Sequence, residues 1–326
     1  MAAETAGSLK ALSLVLVTLQ TTLMVVLTRF TRVGDREAYS VCTMVIMTEL
    51  LKLVLSVILL AREVDGVGRA TNMLRTEFSH RRSECLKLLV PAGLYFCQNN
   101  ILIFAVTNLD TAVYQVCYQM KLVVTAMLSV VLLRRSLSKA QWLAVLLLCA
   151  GIVTVNMSAA GEKVQAKGGQ NPTLGLMAVF FAAFTSGLAG VYFEKLVKGG
   201  QQSVWARNFF LALFSLLFGA VTMVVKEPQA LSRDSFFHGY DRLVCTVVVV
   251  NALGGMIVAM VIKYADNILK GFATGISTLL STLCSVLLFG FEPNILFALG
   301  SVVVIFSTFM YSSAKDILPS FMKALL

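Results

Sequence analysis

Charge is what this chain has least of. Asp, Glu, Lys and Arg make up 13% of its 326 residues against 58% hydrophobic, and the mean hydropathy is +0.82. A soluble domain of this length has no use for so much apolar surface, so that class is excluded. Acid is scarcer than base, with 17 Asp and Glu to 27 Lys and Arg. The close acidic pairs, Asp35 with Glu37 and Glu63 with Asp65, fall in polar stretches that read as solvated loops. Only two histidines occur, His80 and His238, in loops expected on opposite sides of a membrane, so they cannot share a metal ion. There is no H-E-x-x-H, and Gly275 to Leu279 fails G-x-S-x-G at its last position. These absences argue against an enzyme and imply no metal or cofactor. The first apolar run, from Leu9, lacks the short apolar core and cleavage site of a signal peptide and reads as a retained span.

What is present is a series of apolar runs of about 20 residues, each long enough to cross a bilayer. Charged or Gly/Pro/Asn stretches separate them, giving ten spans at 9–29, 39–61, 86–107, 111–133, 138–157, 173–195, 204–225, 241–263, 267–290 and 294–314. The fold class is therefore all-α and integral to the membrane. The loops 62–85 and 226–240 are long enough for short surface helices. All seven cysteines read as free thiols, six of them within spans. The net charge of +10 is spread over loops and implies no nucleic acid. Basic residues on the N-terminal side, among them Arg62, Arg69, Arg75, Arg81, Arg82, Arg134, Arg135, Lys195 and Lys198, are nearly twice as numerous as those opposite. By the positive-inside rule both termini are expected in the cytosol.

Four basic residues lie outside this loop pattern. Lys52 has Glu49 three residues before it, which predicts a local ion pair. Arg207 and Lys270 fall near cytosolic span ends, where snorkelling is available. Lys121 alone is deep, roughly 15 Å inside the boundary of the fourth span. A mid-span lysine costs about 2.5 to 3.5 kcal/mol, so it calls for a wet cavity, a counter-charge or an anionic ligand. Asp110, at the start of the same span, reads as an N-cap.

Laid on itself, the chain places Asp110 over Asp266 and Ser129 over Ser285, in register through the fourth and ninth spans. Five spans per half forces opposite orientations, so two inverted five-helix repeats are expected, 1–157 and 173–326, joined by a lumenal linker at 158–172. Tyr114, Tyr118 and Lys121 share an arc of about 60° on the fourth span, and Lys270, Thr274, Ser277 and Ser281 do the same on the ninth. The first stripe is expected to line a cavity between the repeats. The second fits a cavity wall or a small-residue packing face. Tyr95, Gln98, Asn99 and Asn100 on the third span add polar groups. Lysine suits phosphate, tyrosine a stacked base and amides its edge, so a nucleotide bearing a sugar is the ligand that uses all of them. A plain inorganic anion would not need the aromatics, and one asymmetric cluster with no ring-forming motif argues against an anion channel or another membrane pore.

Gln98 to Asn100, Asn108 to Lys121, Leu137 to Trp142, Ser186 to Lys195 and Lys263 to Phe272 together resemble the nucleotide-sugar transporters of the Golgi, in the branch holding CMP-sialic acid and UDP-galactose carriers. The resemblance implies a ten-helix drug/metabolite-transporter fold and exchange of cytosolic nucleotide sugar for lumenal nucleoside monophosphate. It further implies phosphate binding by Lys121 and Lys270, with Ser186, Gly187 and Asn208 around the nucleotide. CMP-sialic acid exchanged for CMP is the expectation, with UDP-galactose for UMP as the alternative. A multi-pass Golgi membrane protein follows, its oligomeric state open.

Overall fold

The computed structural model describes residues 2–31, 37–109, 111–159, 171–200, 202–289 and 294–314. Among them ten helices are long and apolar enough to cross a membrane. The spans are Ala2–Phe30, Val41–Glu63, Leu89–Asn108, the pair Thr111–Tyr118 and Met120–Leu133, Lys139–Ala159, Pro172–Gly199, Val204–Lys226, Arg242–Tyr264, Asn267–Phe289 and Ile295–Ala314. Between the second and third spans lie the short helices Val67–His80 and Arg82–Leu86. A 3-10 turn, Pro228–Leu231, and a single helical turn, Arg233–Phe236, follow the seventh span. The Asp110 cap, the linker core at 160–170 and the connection at 290–293 lie outside the described residues.

Local chemistry explains where the spans start. Ser40, Asn171 and Asp241 each accept a hydrogen bond from a backbone N–H of the first turn that follows, satisfying donors the helix cannot. Pro172 occupies the first turn of the sixth span, where its missing N–H costs nothing. Ser138 and Gln141 form a reciprocal capping box at the head of the fifth span, at 3.2 and 2.9 Å.

Packing interlocks the two halves of the chain. The fifth span lies along the tenth and the second along the seventh. The sixth packs on the third and fourth, the first on the eighth and ninth, while the second also meets the eighth and the third the seventh. Exchanging each span for the one five places along turns this set of pairings into itself. The fifth and tenth spans cross where Gly151 meets Gly300. A Cβ on Gly151 would sit 3.1 Å from the Gly300 carbonyl oxygen and one on Gly300 2.9 Å from that of Gly151, so only glycine allows the backbones this close.

Candidate functional site

The fourth span is not one helix. Thr111–Tyr118 and Met120–Leu133 are separated at Gln119, where the Gln119 and Leu122 amides donate to the Val116 and Gln119 carbonyls, three residues back. The Gln119 carbonyl also accepts from the Cys149 thiol of the fifth span at 3.6 Å, so a partner beyond the helix helps hold the break. This corrects the expectation of an unbroken span at 111–133, and it gives Cys149 more than the role of a small apolar side chain.

The residues of the predicted stripe gather at this break. The rings of Tyr114 and Tyr118 stack 5.8 Å apart at 9°. The Lys121 ammonium lies 4.2 Å from the Tyr118 ring centroid, a cation–π contact. Gln98 on the third span donates its side-chain N–H to the Tyr118 hydroxyl at 2.9 Å, while its own Oε1 is buried without a partner. A buried acceptor left open in this way is costly unless a ligand fills it. Ser186 reaches the same hydroxyl from the sixth span, and Tyr95 lies within its electrostatic range. The fourth and ninth spans meet beside both lysines, where a Cβ on Gly271 would lie 2.7 Å from the Leu122 side chain. Among the described residues Lys121 pairs with no acid, whereas Lys270 feels Glu194. Five sequence-predicted residues therefore converge around Tyr118: Tyr114, Lys121, Gln98, Tyr95 and Ser186. Lys270 stands nearby.

Other predicted residues do different things. A Cβ on Gly187 would lie 2.9 Å from Val124 and 3.2 Å from the Thr125 nitrogen, so its bareness brings the sixth span against the fourth. Asn208 is buried, with its amide donating to the Met256 sulfur at 3.2 Å. Ser277, 1% exposed, meets the Thr22 hydroxyl of the first span at 3.1 Å, which places it in a helix contact and not on a cavity wall. Thr274 bonds back to the Gly271 carbonyl. Asn99 is exposed, and Asn100 donates to the Phe96 carbonyl. The snorkelling expected of Arg207 is also corrected: it is 3% exposed, and its Nε donates to Gln202.

The expected Glu49–Lys52 pair is present, with Lys52 donating to both carboxylate oxygens at 2.9 and 2.7 Å and both side chains only 12% exposed. It sits halfway along the second span, against Gly255 of the eighth.

Sequence reasoning missed one charged cluster altogether. Glu194, fully buried at the end of the sixth span, accepts from Arg135 at 2.6 Å, Lys198 at 2.7 Å and the Asn267 backbone N–H at 2.9 Å. Arg135 also lies 3.4 Å from Asp266, whose other oxygen caps the ninth span through the Leu269 amide. The cluster ties the end of the fourth span, the last turns of the sixth and the start of the ninth, one turn from Lys270. The signal was an acid, Glu194, inside an apolar run.

A ten-span bundle with cationic, aromatic and amide groups collected at a broken mid-membrane helix has the form of a carrier for an anionic, ring-bearing solute. The family profile described as nucleotide-sugar transporter matches residues 5–312. The UDP-N-acetylglucosamine transporter of Bos taurus is 43% identical over 311 residues, covering 94% of this chain and 95% of its own. Its Homo sapiens counterpart is 43% identical over 312 residues, with the same coverage. The UDP-galactose translocator of Bos taurus is 42% identical over 305 residues, covering 93% of this chain and 78% of its own. A solved crystal structure at 14% identity covers 97% of this chain and 99% of its own with a TM-score of 0.68, a likeness that shows the fold alone. The chain belongs to the nucleotide-sugar transporter family.

Proposed function

We propose that this chain exchanges a UDP-linked sugar for uridine monophosphate across a Golgi membrane. The observation that carries the reading is Lys121, held over Tyr118 at the helix break with no acidic partner among the described residues. A phosphate completes that charge, the paired tyrosines offer a face for the base, and the open Oε1 of Gln98 accepts from a donor on its edge. The relatives described above, at 42% and 43% identity, carry UDP-sugars in their names, which favours uridine over the cytidine nucleotide expected from the sequence. No feature of the site favours CMP-sialic acid.

Exchange follows from electrostatics. Closing the site around an unneutralised Lys121, with Lys270 close by, is costly, and a bound phosphate removes the cost. An empty carrier therefore reorients slowly, and uptake of one nucleotide depends on return of another. The span pairings, unchanged when the halves are exchanged, support the inverted-repeat reading of 1–157 and 173–326. With the sixth span packed on the third and fourth, and the first on the eighth and ninth, the rocking bodies would each draw on both repeats. The basic loops support cytosolic termini.

Thermal unfolding with UMP, CMP and GMP tests the base. At about 100 times Kd a ligand stabilises by about 2.7 kcal/mol. UMP is expected to raise Tm and the other two to leave it unchanged. Stabilisation by CMP alone would restore the cytidine reading.

A further inference from the structure

At the end that carries Glu194, the fourth and sixth spans finish side by side, and a groove of about 450 Å³ opens between them. Its lining is divided by chemistry. Leu132 and Leu133 supply apolar surface, while Arg134, Lys195 and Lys198 supply charge, with Gly199 among them. The leucines belong to the last turn of the fourth span and Arg134 ends it, so the apolar part is the deeper one. Met127 and Val131 follow one another at i and i+4 along one helix face, and Arg134 ends that helix one turn later. Val131 is 70% exposed and Met127 is exposed beside it, so a bare apolar stripe, suited to lipid, ends one turn before Arg134.

The basic side of the groove is not consumed internally. Lys198 is taken by Glu194, but among the described residues neither Arg134 nor Lys195 has an acidic partner. Arg134 also sits in the left-handed region, with φ 52° and ψ 37°, where its N–H donates to the Ser129 carbonyl. Glycine is the residue that takes this helix-ending conformation without strain, yet this chain keeps a long cation there.

We infer that the groove binds the headgroup of an anionic phospholipid, with Arg134 and Lys195 on the phosphate and Leu132 and Leu133 against the upper acyl chain. Charge complementarity and continuity with the lipid-facing stripe select a lipid over a soluble phosphate. A nucleotide would have no use for the leucines and would find none of the aromatic rings that line the Lys121 site. The groove lies at the end where basic loops predominate, and a leaflet rich in anionic lipid attracts cations at that level.

Native mass spectrometry of the full chain, in micelles containing equal phosphatidylserine and phosphatidylcholine, tests this. The protein is expected to retain phosphatidylserine preferentially. Arg134→Asn combined with Lys195→Gln should weaken that preference about 30-fold, the equivalent of two surface charges. Asparagine tolerates the left-handed conformation, and both side chains are exposed, so the fold should persist. If the pair does not fold, Lys195→Gln alone is expected to show about a 5-fold loss. Arg69→Gln with Arg75→Gln, outside the groove on the same side, should leave the preference intact. The inference is overturned if the protein has no preference for phosphatidylserine, if the groove variant keeps it, or if the Arg69 and Arg75 variant loses it equally. Displacement of the lipid by millimolar inorganic pyrophosphate would also overturn it, since the groove would then take a soluble phosphate.

Discussion

At the residue scale, each buried charge is either answered inside the protein or left open. Glu194 is answered three times over, Glu49 by Lys52, and Lys121 by no acid among the described residues. Glu194→Gln keeps the shape but removes the charge that Arg135 and Lys198 share, so it should cost about 2 to 3 kcal/mol, seen as a lower denaturation midpoint in detergent. An unchanged midpoint would mean that the cluster contributes no stability. Gln98→Leu removes both the bond to Tyr118 and the open acceptor. It is expected to narrow the difference between UMP and CMP in ligand-induced Tm shift, with the unliganded protein still folded. Lys121 and the tyrosines were legible in the sequence because a cation deep in an apolar run conflicts with its surroundings. Ser277 and Asn208 were not, because a hydroxyl or an amide serves a helix contact as readily as a ligand, and only the facing Thr22 and Met256 decide between them.

At the scale of elements, nine of the ten spans were readable to within four residues, since the length of an apolar run is itself the physical constraint that a bilayer sets, and the first begins seven residues earlier than expected. The break at Gln119 was not readable. No proline or glycine marks it, and the partners that hold it, Cys149 and the Tyr118 contacts, come from other spans or from side-chain stacking. Cys149→Ala should therefore shift the apparent KM of transport more than it shifts Tm. A Tm loss with KM unchanged would reduce the thiol to packing. The crossing of the fifth and tenth spans is more demanding. Gly151→Leu forces side-chain atoms into the Gly300 and Val304 backbone and should cost about 1 to 3 kcal/mol, measurable as an early unfolding transition.

For the whole molecule, the tertiary pairings show what no single run of residues could. The sequence suggested two consecutive halves, and the packing braids them, with the sixth span among the third and fourth and the first among the eighth and ninth. The Glu194 cluster ties spans of both halves together at one end of this braid, while the Lys121 cluster lies at its middle. On the proposed function a nucleotide phosphate supplies the counter-charge that Lys121 does not find among the described residues. The direct measurement is uptake of labelled UDP-N-acetylglucosamine and UDP-galactose into proteoliposomes preloaded with UMP, comparing the native chain with Lys121→Ala. The native chain should show uptake of at least one of them accelerated by internal UMP, and the variant should lose that exchange by about 100-fold while its circular dichroism stays helical. Exchange by the Lys121→Ala protein at the native rate would contradict the account.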